Sequence, residues 1–156
     1  MRAHICAVGR LRAGPEAALI DDYTTRFDRT GRALGLGPLT LHEVEDKKGG
    51  GMKAEAVLLE RALPKGAVIV TLDERGKLLS SPEFANKLGA WRDAGRSDVA
   101  FVIGGADGID PGLRAQADFS ISLGKMVWPH MLARAMLTEQ LYRAASILSG
   151  SPYHRV

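Results

Sequence analysis

Residues 99–130 read VAFVIGGADGIDPGLRAQADFSISLGKMVWPH and contain the two segments that decide the fold. Two short apolar runs, Val99–Ile103 and Phe119–Leu123, predict buried strands. Each run ends in glycine, at Gly104–Gly105 after the first and at Gly124 after the second. In open α/β sheets, ligands bind beyond the carboxyl ends of the strands, where loops expose backbone groups. We therefore expect a ligand site at these two glycine turns.

The rest of the chain alternates between strand-like and helix-like patterns. Short strands separated by helical segments are typical of a mostly parallel sheet with helices on both faces. Since no repeat or linker divides the sequence, an α/β fold in a single domain, residues 1–156, is predicted. The other predicted strands are Ala3–Val8, Leu39–Val44 and Ala67–Leu72, and the predicted helices are Ala17–Arg29, Met52–Leu63, one from the Ser80–Glu83 signature to Ala94, and His130–Leu148.

Two charged loops lie between these elements. Asp73–Lys77 follows the strand Ala67–Leu72 and predicts a third loop at a strand end. Glu45–Gly51, with the sequence EDKKGGG, cannot bury apolar area and predicts a mobile loop. The sequence leaves two interpretations of that loop open: a solvated connector, or a flexible basic lid over a polyanion.

Composition narrows the class of protein. The net charge of +3 permits an RNA partner without demanding one. The single cysteine, Cys6, lies in an apolar run and is interpreted as a core residue in a reducing compartment. The four histidines show no metal-ligand spacing, so no metal is predicted. No apolar run approaches the roughly 20 residues of a membrane helix, and a cytoplasmic protein with no membrane partner is expected.

The C-terminal helix and tail carry two further signals. The apolar band of His130–Leu148 is wider than a single core-facing stripe, which predicts burial on two sides and a second subunit on one of them. The tail Tyr153-His154-Arg155 combines a ring, a titratable imidazole and a permanent cation. Two interpretations of the tail are open. These residues take part in the function, or they are a disordered terminus, as the last residues of a chain usually are.

The chemistry of the glycine turns excludes some ligands. Gly104–Gly108, GGADG, does not spell a dinucleotide fingerprint, and the chain contains no Walker motif. These turns suit a ligand that is read by backbone groups, such as an adenine and a ribose, although strand-end glycines are often only structural turns. No nucleophile elbow or zinc-protease motif occurs. Methyl transfer from a sulfonium donor fits, because it needs no covalent enzyme intermediate.

Taken together, these motifs resemble the RlmH family, which belongs to the SPOUT class of methyltransferases. The family methylates N3 of a pseudouridine in bacterial large-subunit (23S) ribosomal RNA with S-adenosyl-L-methionine. The resemblance covers essentially the whole chain and implies a C-terminal trefoil knot in an obligate homodimer. The motifs that carry it are Thr71-Leu72-Asp73, Ile103-Gly104-Gly105 with Gly108, Ser122-Leu123-Gly124-Lys125-Met126 leading to Pro129-His130, Glu139–Ala144, and Tyr153-His154-Arg155.

The resemblance also implies which residues form the site. We expect the donor to be held by residues of the strand-end loops: Leu72, Gly104, Gly105, Gly124, Lys125, Met126, Val127, Trp128 and Pro129. The hypothesis for catalysis makes His154 the base, with Arg155 and Arg143 stabilising negative charge on the pyrimidine and Tyr153 stacking on a base. The tail of one subunit is expected to complete the donor site of the other. The substrate, assembled ribosome or bare ribosomal RNA, stays open.

Two other classes of function compete with this interpretation. One is a non-catalytic protein that binds the ribosome or adenosine, against which the intact tail argues. The other is a small-molecule enzyme with a nucleotide cofactor, which the missing phosphate motifs disfavour.

Overall fold

Five parallel strands form one sheet in the computed structural model, which describes residues 1–155. The strands are β1 (Arg2–Val8), β2 (Leu39–Val44), β3 (Val68–Leu78), β4 (Asp98–Ile103) and β5 (Phe119–Ser122). Their order in the sheet is β2-β1-β4-β3-β5, and every pairing is parallel. All five carboxyl ends therefore lie at one edge of the sheet.

Helices cover both faces of the sheet. They are α1 (Pro15–Gly31), α2 (Gly51–Ala62), α3 (Ser81–Asp93), α4 (Pro111–Gln116) and α5 (His130–Ser149). Apolar residues of α1, α3 and α5 share one core cluster with the sheet, and those of α2 and α4 share the other. The fold is thus an α/β sandwich of three layers, as predicted.

The central strand β4 shows why both faces must be covered. Val99, Phe101 and Ile103 point into the cluster under α1, α3 and α5. Ala100 and Val102 point into the cluster under α2 and α4. All five are buried, so a strand with alternating apolar side chains on both faces has no side that could meet water.

Cys6 lies in the cluster under α2 and is fully buried. Burial raises the pKa of its thiol to about 12. The thiol stays protonated near neutral pH, which confirms the interpretation of Cys6 as a small core residue.

The predicted elements are confirmed to within two residues at each end, with two exceptions. The short helix α4 has no counterpart in the sequence analysis; it begins where the Asp110 carboxylate accepts a hydrogen bond from the backbone N–H of Gly112 at 2.9 Å. Strand β3 continues beyond its predicted end at Leu72, because Leu72 and Lys77 both pair with Ile121 of β5. The segment Asp73–Gly76, predicted as a loop, is an irregularity inside β3.

Helix α5 is flanked by α1 on one side and α3 on the other, within the same chain. Its residues Leu137, Leu141 and Ala145 are fully buried. These two neighbours account for much of the wide apolar band, so the band alone does not require a second subunit. Among residues 1–155, no helix is both long and apolar enough to cross a membrane.

Candidate functional site

The two glycine turns and Leu72 belong to three neighbouring strands. Strands β4, β3 and β5 are consecutive neighbours in the sheet, and all run in the same direction. Leu72 in β3, Gly104 after β4 and Gly124 after β5 are therefore brought to one edge, which we call the donor edge. The two glycine turns quoted at the outset therefore lie at the same edge of the sheet, on either side of β3.

The first glycine turn is packed against itself. The backbone N–H of Gly108 donates to the carbonyl of Gly105 at 3.0 Å, which closes the turn. A Cβ at Gly104 would stand 2.5 Å from the carbonyl oxygen of Gly108. Only glycine fits at Gly104 without moving that backbone.

Gly105 meets a different neighbour. A Cβ placed there would lie 2.9 Å from Oε2 of Glu55 and 3.2 Å from Cγ1 of Val8. The space beside Gly105 is therefore filled by a carboxylate of α2. Burial, followed by the charges of Asp107 and Asp46, raises the pKa of Glu55.

The second glycine turn leads into an exposed loop. Ser122 fixes the turn, because its hydroxyl donates to the carbonyl of Gly124 at 2.9 Å and accepts from the Gly124 N–H at 3.1 Å. Beyond it, Met126 is 74% exposed and Val127 is 81% exposed. The Trp128 ring N–H donates to the carbonyl of Leu123 at 3.4 Å. Lys125 and Pro129, also predicted to contact the donor, are exposed.

The start of α5 is held to the sheet by a buried cation. Arg134 is fully buried; its guanidinium donates to Glu43 at 2.9 Å and to the carbonyls of Val8 and Gly9 at 3.2 Å. Burial lowers the pKa of Arg134, against the opposing effect of Glu43. Helix α5, and with it the end of the loop that precedes it, is anchored to the carboxyl ends of β1 and β2.

A cleft of about 400 Å³ opens where β5 ends. It lies between the end of β3, the start of α3 and the middle of α5. Glu139 and Gly124 both line this cleft, so it joins the second glycine turn to α5. The remaining lining residues are Leu78, Leu79, Ser80, Ser81, Phe84, Ile121, Ser122, Leu123, Met136, Leu137 and Gln140.

The C-terminal tail folds back onto α5. The Tyr153 hydroxyl donates to Oε1 of Glu139 at 2.9 Å, and Arg143 donates to the same oxygen at 2.6 Å. Nη1 of Arg143 lies 3.2 Å from Nδ1 of His154. The rings of Tyr142 and Tyr153 are tilted with centroids 4.6 Å apart. Three of the four predicted catalytic residues, Arg143, Tyr153 and His154, are thus brought together, and the fourth, Arg155, is exposed.

The protonation states in this cluster follow from its contacts. The hydrogen bond to Glu139 raises the pKa of Arg143, which stays charged. Burial, with hydrogen bonds to Tyr23 and Glu139, raises the pKa of Tyr153. Tyr153 is therefore a neutral hydrogen-bond donor. Because a guanidinium only donates, Nδ1 of His154 must accept from Arg143, which leaves the ring proton on Nε2.

Glu139 is the residue that the sequence reasoning missed. It lies in the motif Glu139–Ala144, and the sequence analysis assigns it no role. In the structure it holds Arg143 and Tyr153 and also lines the cleft beside Gly124. Glu139 therefore places the tail beside the cleft that Gly124 also lines.

Comparison with known proteins matches the whole chain to one family. The family model described as "Predicted SPOUT methyltransferase" covers residues 1–154. A protein of Ruegeria sp. (strain TM1040) named ribosomal RNA large subunit methyltransferase H is 76% identical over 156 residues, which is 100% of both chains. Its namesake from Ruegeria pomeroyi is 74% identical over 100% of both chains.

Two solved structures share the fold at low identity. A probable methylase family protein from Haemophilus influenzae has a TM-score of 0.55 and 14% identity, covering 99% of this chain and 70% of that one. A probable methyltransferase from Bordetella pertussis has a TM-score of 0.55 and 14% identity, covering 92% of this chain and 96% of that one. The family model over residues 1–154, with relatives 74% to 76% identical over the whole chain, shows that the chain belongs to the SPOUT methyltransferase family.

Proposed function

We propose that this chain transfers a methyl group from S-adenosylmethionine to N3 of a pseudouridine in large-subunit ribosomal RNA. The observation that carries the proposal is that Glu139, which binds the tail, lines the same cleft as Gly124 of the second glycine turn. It puts an aromatic ring, an imidazole and a guanidinium next to a turn whose motif is that of a donor site. Full-length relatives named as large-subunit ribosomal RNA methyltransferases support the same substrate class.

The donor edge fits S-adenosylmethionine. The carboxylate of Glu55, which forms no ion pair within residues 1–155, lies beside Gly105 and suits a cationic ligand. The exposed apolar side chains of Met126 and Val127 suit an adenine. When bound, S-adenosylmethionine supplies an electrophilic methyl group. Backbone groups of the two glycine turns would hold it, together with Leu72 and the Lys125–Pro129 segment.

The tail residues act on the acceptor base. The guanidiniums of Arg143 and Arg155 stabilise the anion that forms when N3 of the pyrimidine loses its proton to solvent water. In the neutral ring of His154, Nδ1 accepts from Arg143, so Nε2–H is the free group and donates to a carbonyl of the pyrimidine. This geometry favours a donor role for His154 over the role of base that the sequence suggested.

Replacing His154 tests the two roles. His154→Gln keeps an N–H donor and removes the titratable ring, so we expect methyl transfer to fall less than about tenfold. His154→Ala removes the donor as well, and a loss of about a hundredfold or more is expected. Single-turnover rates with saturating donor measure both variants. Equal, large losses would return His154 to the role of base.

We further propose a homodimer with a C-terminal trefoil knot, working in the cytoplasm. Both features are implied by the SPOUT family. In support of the dimer, Leu19 of α1 is 43% exposed, and Met131, Leu132 and Met136 on α5 are left half-buried after α1 and α3 have packed. A second copy packed against α1 and α5 would bury apolar side chains of these helices further.

Met136→Glu is expected to convert the dimer to monomer. In the dimer, the new carboxylate would be buried at the interface without a partner. In the monomer, position 136 is only half-buried, so the carboxylate can reach water. Leu137→Glu is unsuitable, because Leu137 is fully buried inside the chain and the variant would unfold. The matched control is Val57→Glu, an exposed apolar position of α2 on the opposite face. Sedimentation velocity decides, and a monomeric native protein would contradict the proposal.

The proposed reaction has a direct assay. Ribosomes from a strain lacking this modification should accept tritiated methyl groups from S-adenosylmethionine in the presence of the protein. Bare large-subunit RNA, tested in parallel, identifies the recognised form of the substrate. Donor binding by calorimetry without incorporation into either substrate would leave a methyl-donor-binding protein with a different acceptor.

A further inference from the structure

Glu55 is the side chain closest to Gly105 on the α2 side of the donor edge. Its Oε2 lies 2.9 Å and its Oε1 3.3 Å from the position that a Cβ at Gly105 would take. Val8 of β1 closes the same space at 3.2 Å. Any ligand that contacts the backbone of Gly105 is within reach of this carboxylate.

The Glu55 carboxylate is not neutralised by the protein. It takes part in none of the ion pairs formed within residues 1–155. The charges of Asp107 and Asp46 add to burial in raising the pKa of Glu55. The Asp46 carboxylate is itself fixed by backbone N–H groups of Lys48 and Gly50. The ionised form of a half-buried carboxyl group among like charges is unfavourable, and a bound cation would stabilise it.

We propose that Glu55 is a specificity-determining residue of the donor site, favouring the cationic donor over its neutral product. The proposal rests on the proposed function. S-adenosylmethionine and S-adenosylhomocysteine share every group except the methyl and the positive charge on sulfur. Contacts to adenine, ribose and the amino-acid moiety bind both equally, whereas a nearby carboxylate distinguishes them by charge.

This arrangement has a catalytic consequence. After methyl transfer, sulfur is neutral and the attraction to Glu55 is lost, so the carboxylate does not retard release of the product. An unpaired charge at the donor edge thereby lowers product inhibition. The same charge is unfavourable in the ligand-free protein.

Isothermal titration of both ligands tests the proposal. The test variant is Glu55→Gln, which keeps the shape and removes the charge, and the matched control is Glu60→Gln on the exposed side of α2. We expect Glu55→Gln to weaken S-adenosylmethionine binding about tenfold and S-adenosylhomocysteine binding less than about twofold. Glu60→Gln should leave the ratio of the two affinities unchanged.

Thermal unfolding of the ligand-free variants separates specificity from a structural role. Because the charge is unfavourable in the fold, Glu55→Gln is expected to unfold at the same temperature as the native protein or higher. A lower unfolding temperature with equal weakening of both ligands would make Glu55 structural and overturn the proposal, as would an unchanged affinity ratio. If the native protein bound neither ligand, the proposed function itself would fail, which is a different outcome.

Discussion

Deletion of residues 153–156 is expected to lower the rate of methyl transfer by about a thousandfold or more. It removes the Tyr153 and His154 contacts at Glu139 and Arg143 and the exposed cation of Arg155, while Val156 lies outside the described residues. The donor edge is built from β3, β4 and β5 and keeps all of its strand pairings. Affinity for S-adenosylmethionine, measured by calorimetry, should therefore stay within about twofold. Full activity of the truncated protein would contradict a catalytic tail.

A mixed dimer shows which subunit supplies the tail. One parent carries the deletion, and the other carries Gly104→Ala, which disables its donor edge. If the tail crosses to the partner, both lesions fall in one site and the other site works. If each subunit uses its own tail, every site carries one lesion and the mixed dimer is inactive. The two homodimeric parents serve as controls and should both be inactive.

Gly104→Ala should reduce S-adenosylmethionine affinity by about a hundredfold or more. The new Cβ would meet the Gly108 carbonyl oxygen at 2.5 Å, and a backbone atom inside a closed turn cannot move aside cheaply. The turn that joins Gly105 to Gly108 must then open, which displaces the N–H and C=O groups offered to the donor.

Gly105→Ala is the matched control for Gly104→Ala. Its Cβ meets the far end of the flexible Glu55 side chain, which can rotate away, so a loss below about tenfold is expected. Calorimetry compares the two variants, and circular dichroism confirms that both are folded. Equal affinities in the two variants would remove the closed turn from the donor site.

Most of the fold was predictable from the sequence, because both faces of the sheet are covered and its central strands are therefore apolar. Runs such as Val99–Ile103 are too short for helices and too apolar for an exposed edge strand, so they predict buried strands in the centre of the sheet. The irregularity of β3 escaped prediction, because DERGK is charged and glycine-containing and looks like a loop. What keeps it in the sheet is the pairing of Lys77 and Leu78 with β5, which is a long-range contact.

The candidate site was predictable in its parts and not in its assembly. A glycine after a strand predicts a turn, and the family resemblance marks the tail residues as candidates for the site. Neither shows that Glu139 receives both Arg143 and Tyr153, since only the folding back of the chain after Gly150 brings Tyr153 to α5. Glu55 gave no signal, because one glutamate in an amphipathic helix is ordinarily a solvated charge.

The position of β1 inside the sheet has a consequence for the order in which the chain is made. β1 pairs with β2 on one side and with β4 on the other. β2 is complete when Val44 is added, but β4 is complete only at Ile103. At typical rates of synthesis this interval is roughly 3 to 12 s. Throughout this interval the nascent polypeptide carries an apolar strand with one unpaired edge, which is the kind of edge that templates aggregation.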